Sequence, residues 1–165
     1  MEEKDIIDKM YELANLIDYE AKNITHLKQA MRCKRMPNKS NDGKNRKNYT
    51  NDRYAILGDS VLKLILTERL FDDKNKYDKA QITEKRKEVE NNYSLYELCD
   101  NYGIIKYAHN DTHFYGNAPN HNKVPHPKPD IYIEAIIAAI YLDRGIKYCK
   151  KWVIDFLKKN NCLIN

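Results

Sequence analysis

Two stretches of this chain hold carboxylates among side chains that oppose charge. In NDRYAILGDSVLKLIL (51–66), Asp59 follows Gly58 and stands just ahead of Val61, Leu62, Leu64, Ile65 and Leu66. In PDIYIEAIIAAIYLD (129–143), Glu134 is surrounded by Ile131, Ile133, Ala135, Ile136 and Ile137. An unpaired carboxylate in such company costs several kcal/mol or gives up its charge. A compensating partner is expected, and one shared divalent cation serves both acids. Two more acids fall in step with them. Asp130 lies one helical turn before Glu134, about 40° away on the same face, and Asp52 lies two turns before Asp59.

Hard divalent ions take oxygen ligands, and Mg²⁺ binds through few protein carboxylates, keeping water and substrate phosphate as further ligands. Such an ion activates water and stabilises the leaving oxygen in phosphodiester hydrolysis. Asp59 and Glu134 are therefore expected to ligate Mg²⁺, with Mn²⁺ as a substitute. Asp130 is expected to be a third ligand or to orient the attacking water, and Asp52 to lie outside the direct ligands. For Asp52 and Asp130 a second reading stands: acids at helix starts, facing the positive end of the dipole.

Basic residues supply candidate phosphate contacts. The segment 37–50 carries Lys39, Lys44, Arg46 and Lys47 against one acid, Asp42. It has no apolar periodicity and reads as a polar loop, able to follow phosphates or simply to be solvated. Lys128, just ahead of Asp130, can reach a phosphate or sit on the surface. His109, His113, His121 and His126 have neither the spacing nor the nearby cysteines of a closed zinc site.

The elements that must position these acids read as helices. Residues 5–18 place Ile6, Met10, Leu13, Leu16 and Ile17 on one side, and a short helix is expected over 24–35. Asn51 or Asp52 is expected to cap a helix running to about Phe71. That helix is apolar over far more than a ~100° stripe, so it is expected to be buried on two sides, one of them against a partner chain. One helix is expected over 81–102, with Ile82, Val89, Leu95, Leu98 and Cys99 inward and Gly103 as its stop. Residues 109–129 read as an irregular connection. Then come a nearly all-apolar helix over 130–142, a break at Gly145, and a last helix over 146–158 with Trp152, Val153, Phe156 and Leu157 inward. There is no strand alternation and no repeat. The expected fold is an all-α bundle, one domain over 1–165.

With 165 residues, 42% hydrophobic and 32% charged, the chain has the composition of a soluble globular protein. Its 29 basic residues against 24 acidic ones give a mild formal charge of +5, compatible with a polyanion partner. The start, MEEKDIIDKM, lacks the apolar core of a signal peptide, and no run approaches the ~20 residues of a membrane span. Cys33, Cys99, Cys149 and Cys162 include no CxxC pair and read as thiols of a reducing, intracellular compartment, cytoplasmic or nuclear. No small-molecule cofactor is expected.

On these residues the chain resembles the ribonuclease III family. NDRYAILGDSVLKLIL is similar to the signature usually written NERLEFLGDAVL, and IEAIIAAIYLD to the second acidic block, usually DxxEALIGAIYLD. ITHLKQAM (24–31) and QITEKRKEVENNYSLYELCDNYGI (81–104) are similar, in order, to the segments carrying ALTH and LTxxR with a later LAxLA. Together they span about 24–157. The resemblance implies an all-helical endonuclease domain, a homodimer whose two sites flank a groove for double-stranded RNA, and Mg²⁺-dependent cleavage leaving 5′-phosphate and 3′-hydroxyl ends. Double-stranded RNA is read by shape, 2′-hydroxyls and phosphates. No double-stranded RNA-binding domain follows, so a stand-alone catalytic domain is expected.

The chain departs from the family pattern at two acids. Ala55 stands where the family has its second signature glutamate, and Ile131 where it has the aspartate three residues before the second-block glutamate; Asp130 lies one residue earlier. The metal site is thus expected to be thinned. The leading expectation is an active endoribonuclease; the alternatives are an impaired fold that binds structured RNA or a ribonucleoprotein without cutting it, and a dimerisation module for a catalytic partner.

Overall fold

The computed structural model describes residues 1–33, 51–111, 113–117 and 130–163; the side chains of Asn92, Tyr93, Asn117 and Asp130 lie outside that description. Six helices carry the fold: α1 (Glu3–Leu16), α2 (Thr25–Ala30), α3 (Asp52–Phe71), α4 (Lys79–Glu90), α5 (Asn92–Asn101) and α6 (Asp130–Lys159). Single 3₁₀ turns lie at Ile104–Tyr107 and Tyr115–Asn117. Among the described residues there is no strand; isolated bridges join Arg32 to His109 and His109 to Phe114. No described helix is long and apolar enough to cross a membrane.

The core is organised around α6. Its first arm buries Tyr132, Ile133, Ala135, Ile136, Ile137, Ala138, Ala139 and Ile140, almost without interruption. Helix α3 crosses this arm and packs on it more extensively than any other pair of elements. Its inward face is Ala55, Gly58, Val61, Leu62, Ile65 and Leu66. Ile56, Leu64 and Phe71 of the same helix are exposed over more than half their surface. So α3 has an apolar face in the core and a second, uncovered one, which is the two-sided pattern its sequence carries.

Gly145 breaks α6 at φ 78°, ψ 173°, a region essentially reserved for glycine. The second arm then folds Cys149, Trp152, Val153, Phe156 and Leu157 onto the core. Trp152 stacks on Phe156 with centroids 4.7 Å apart and donates its indole N–H to the Ile17 carbonyl at 2.9 Å. Asp143 ties the α1–α2 connection to the end of the first arm. Its carboxylate accepts the Lys22 and Asn23 backbone N–H groups, both at 2.8 Å, and the Tyr19 hydroxyl at 2.5 Å.

Four local expectations are corrected. The stretch 81–102 is two helices, because Asn91 is extended (φ −61°, ψ 134°). The first of them starts earlier than periodicity suggests: Asp78 accepts the Gln81 N–H while Gln81 accepts the Asp78 N–H, both at 2.9 Å, a reciprocal cap that fixes the helix start at Lys79. Helix α2 is only six residues long. Leu16 is exposed, and Ala14 takes the inward place beside Leu13. Asn51 does precede α3, but neither it nor Asp52 makes the expected cap: Asn51 adopts an α-helical backbone with no side-chain cap bond, and its buried amide has no hydrogen-bond partner among the described residues.

The cysteines are free thiols, three of them buried. Burial pushes the Cys33 and Cys149 thiols up to about 12. They are inert groups, and Cys33 lies 3.0 Å from the buried Tyr132 hydroxyl.

Candidate active site

The site follows from one contact between two helix backbones. An alanine Cβ at Gly58 would lie 1.7 Å from the Glu134 carbonyl oxygen and 3.1 Å from the Glu134 Cα. Only a residue with no side chain permits this approach. The glycine that precedes Asp59 therefore sets the α3–α6 crossing at Glu134 itself. The two acids singled out from separate segments are thereby brought to one crossing point, each partly exposed at the surface of the core.

Asp59 is not an orphan charge in this setting. Its side chain is 35% exposed, and its Oδ2 accepts the Lys63 ammonium at 2.6 Å. Lys63 lies one turn further along α3, the spacing at which oppositely charged helix residues meet. Its pKa is raised, first by the hydrogen bond to Asp59 and then, against desolvation, by the Asp59 and Glu90 charges. The partner anticipated for a carboxylate here is thus a cation, supplied by the chain itself. The D-x-x-x-K spacing was the available signal for it.

Helix α4 brings further charge to the same place. Arg86 donates to the Thr67 hydroxyl of α3 at 3.1 Å, and its Nε lies 2.9 Å from Glu90 Oε1. Thr67, Lys63 and Asp59 are successive turns of one α3 face, and Arg86 and Glu90 are successive turns of α4. Glu90 therefore lies further toward Lys63 and Asp59 than Arg86 does. The Glu90 carboxyl is held above the usual range by burial, with Asp59 pushing the same way and Arg86 and Lys63 opposing. Sequence reasoning missed Glu90 and Arg86, because only the packing of α4 on α3 places them here.

The remaining candidates are less closely drawn in. Asp52 is an exposed acid in the first turn of α3, where the helix dipole favours it, and its charge is felt at Cys33. Two turns separate it from Asp59, about 10 Å along the axis. Asp130 is the first residue of α6, one turn before Glu134; its side chain is outside the description. Ala55 and Ile131 occupy the two positions where the family carries acids; Ala55 is buried and Ile131 partly so. Lys39, Lys44, Arg46, Lys47 and Lys128 all lie outside the described residues. Among the described residues no three acidic, histidine or cysteine side chains are gathered closely enough to hold a metal as they stand. His109 is buried and its pKa is lowered by desolvation. It shares its Nε2 hydrogen with the Lys28 carbonyl at 3.0 Å, a helix-end contact rather than a metal ligand.

Comparison with known proteins agrees with this geometry. The Ribonuclease III domain model matches residues 52–145. The chain is 35% identical over 108 residues to Ribonuclease 3 of Clostridium kluyveri, covering 66% of this chain and 43% of that protein. It is 29% identical over 155 residues to Ribonuclease 3 of Campylobacter fetus, covering 92% and 63%. Its structure matches the nuclease domain of ribonuclease III from Campylobacter jejuni, described for structural flexibility in the region involved in dimer formation. That match has a TM-score of 0.71 and 25% identity over 93% of this chain and 97% of that one. The chain spans about half the length of the curated relatives it matches. The matched domain contains α3, the Gly58–Glu134 crossing and the first arm of α6, and on that ground the chain belongs to the ribonuclease III family.

Proposed function

We propose that this protein is a Mg²⁺-dependent endoribonuclease that cleaves double-stranded RNA as a homodimer. The observation that carries the reading is the backbone contact of Gly58 with Glu134, which holds Asp59 and Glu134 at one crossing. The donor set fits the ion the family implies. Both groups are hard oxygen donors, both are partly exposed, and the Lys63 ammonium already occupies a cation position on Asp59. When bound there, Mg²⁺ supplies water activation and charge stabilisation at the leaving oxygen. Asp59 and Glu134 hold it, and Asp130, at the start of the same helix, is the third candidate donor. Hydrolysis adds a water oxygen to phosphorus and breaks the bond to the 3′ oxygen, which gives 5′-phosphate and 3′-hydroxyl ends.

The homodimer is supported by α3. Ile56, Leu64 and Phe71 fall within about 80° of one another around the helix, and all three are exposed. A second copy placed against this face would cover them and bring two Asp59 sites to the edges of one groove. The basic residues of 37–50 and Lys128 would then follow the RNA backbone. An RNA substrate places the protein inside the cell, in cytoplasm or nucleus.

The test is incubation of long duplex RNA with the full chain and Mg²⁺ or Mn²⁺. Metal-dependent shortening that disappears in Asp59→Asn and in Glu134→Gln is the expected result. A specific observation favours a second reading, an RNA-binding fold that does not cut: Ala55 and Ile131 remove two acids, and Lys63 neutralises a third. Retained duplex binding with no cleavage at any metal concentration would overturn the first reading in favour of the second.

A further inference from the structure

We propose that Glu90 of α4 is an additional carboxylate of the Asp59–Glu134 metal site, and that Lys63 is its displaceable counter-charge. This inference rests on the reading of Asp59 and Glu134 as the metal-holding pair. It concerns how this chain makes good the acid missing at Ala55.

Three observations converge. The first is position. The Arg86–Thr67 hydrogen bond fixes how α4 lies on α3, and one turn further along both helices Glu90 faces the turn that carries Lys63. Glu90 then approaches Asp59 from the α4 side, whereas the family's glutamate would approach it from within α3. The second is burial. Glu90's side chain is only 12% exposed, and its Oε1 makes no hydrogen bond of good geometry despite lying 2.9 Å from Arg86 Nε. A buried carboxylate oxygen held by charge alone retains capacity for a stronger cation or its bound water. The third is the stand-in cation. Lys63 feels both Asp59 and Glu90, and its side chain is 45% exposed. A long, half-exposed lysine can swing into solvent when a divalent ion takes its place. The arrangement thus has two states: closed on Lys63 when no metal is bound, and open to the ion when Lys63 leaves. Glu90, reaching the ion directly or through one of its waters, replaces part of the charge lost at Ala55.

The experiment is titration of Mn²⁺ into the full chain, with free ion read by electron paramagnetic resonance, so that no activity is needed. Glu90→Gln keeps shape and removes charge; it is expected to weaken Mn²⁺ binding by about tenfold, in the range seen for groups that support metal ligands. Arg86→Gln, which frees Glu90 from its ion pair, is expected to bind Mn²⁺ at least as tightly as the wild type. Lys63→Met is expected to bind it several-fold more tightly, because the competing cation is gone. Weakened binding in Asp59→Asn with wild-type affinity in Glu90→Gln would overturn the role of Glu90 and leave the metal site intact. Unchanged or weaker binding in Lys63→Met would overturn the role of Lys63. If Glu90→Gln does not fold, Glu90→Asp takes its place, and wild-type affinity there together with no gain in Lys63→Met overturns the inference. Absence of Mn²⁺ binding by the wild-type chain would overturn both this inference and the metal-dependent nuclease reading.

Discussion

Replacing Gly58 by alanine is the most direct perturbation of the site that leaves every charge in place. The new methyl would fall 1.7 Å from the Glu134 carbonyl oxygen, and ordinary contact begins near 3.4 Å. The atom it meets is backbone, so no side chain can rotate away. The helices must part by an ångström or more, against the large buried interface of α3 and the first arm of α6. Overpacking of this kind costs about 3 kcal/mol where relaxation is blocked. Alanine's better helix propensity returns about 1 kcal/mol. The net loss is about 2 kcal/mol, and for a chain of this length that lowers Tm by roughly 4–8 °C. The functional loss should be larger than the stability loss. A displacement of about 1 Å between catalytic groups can reduce a rate by about 10²-fold. Thermal melting by circular dichroism and duplex cleavage well below Tm measure the two effects separately. Gly145→Ala is the comparison. It meets nothing within 4 Å but is forced to φ 78°, so it should lose about 1–3 kcal/mol of stability and keep its cleavage rate. A Gly58→Ala protein that melts and cleaves like the wild type would refute the reasoning, since the Gly58–Glu134 approach would then not position the acids.

Three other outcomes are expected. Leu64→Glu, on the exposed apolar face of α3, should turn a dimer into a monomer in sedimentation equilibrium with little change in monomer folding; an unchanged mass would remove α3 as the interface. Burial lowers the pKa of His109, so the fold favours its neutral form. That stabilisation is complete above the unfolded value of about 6.5 and is lost as pH falls below it, by at most ~1.4 kcal/mol per pH unit. Urea melts between pH 7.5 and 5 should show this slope in the wild type and a flatter one in His109→Gln. Replacing Lys44, Arg46 and Lys47 together by alanine should weaken duplex RNA binding and flatten its dependence on salt, as measured by filter binding across a salt series; identical slopes would assign these residues to solvent.

How far the sequence carried this picture depends on the range of each interaction. Helices with a sustained apolar face, α3 and both arms of α6, were legible, as was the break at Gly145. So were Asp59 and Glu134, because an acid inside an apolar run is a local anomaly. The split at Asn91 was not legible from periodicity, since apolar residues recur on both sides of it. The start of α4 was legible in principle, in the D-x-x-Q of Asp78 and Gln81, but not from hydrophobic spacing. Glu90 and Arg86 become part of the site only through the packing of α4 on α3. The role of Gly58 as the contact point with Glu134 needed the crossing itself, because nothing in either segment names the other.

The knot formed by Asp143 has a practical consequence for anyone trimming this protein. The stretch shared with the family model begins at residue 52, yet the carboxylate that ends its apolar helix is satisfied by Tyr19, Lys22 and Asn23. Cutting the chain back to the shared stretch would strip a hydrophobic wall from α6 and leave an acid with its donors gone. The first thirty residues are therefore structural ballast for the catalytic helices, and a minimal expression fragment has to keep them.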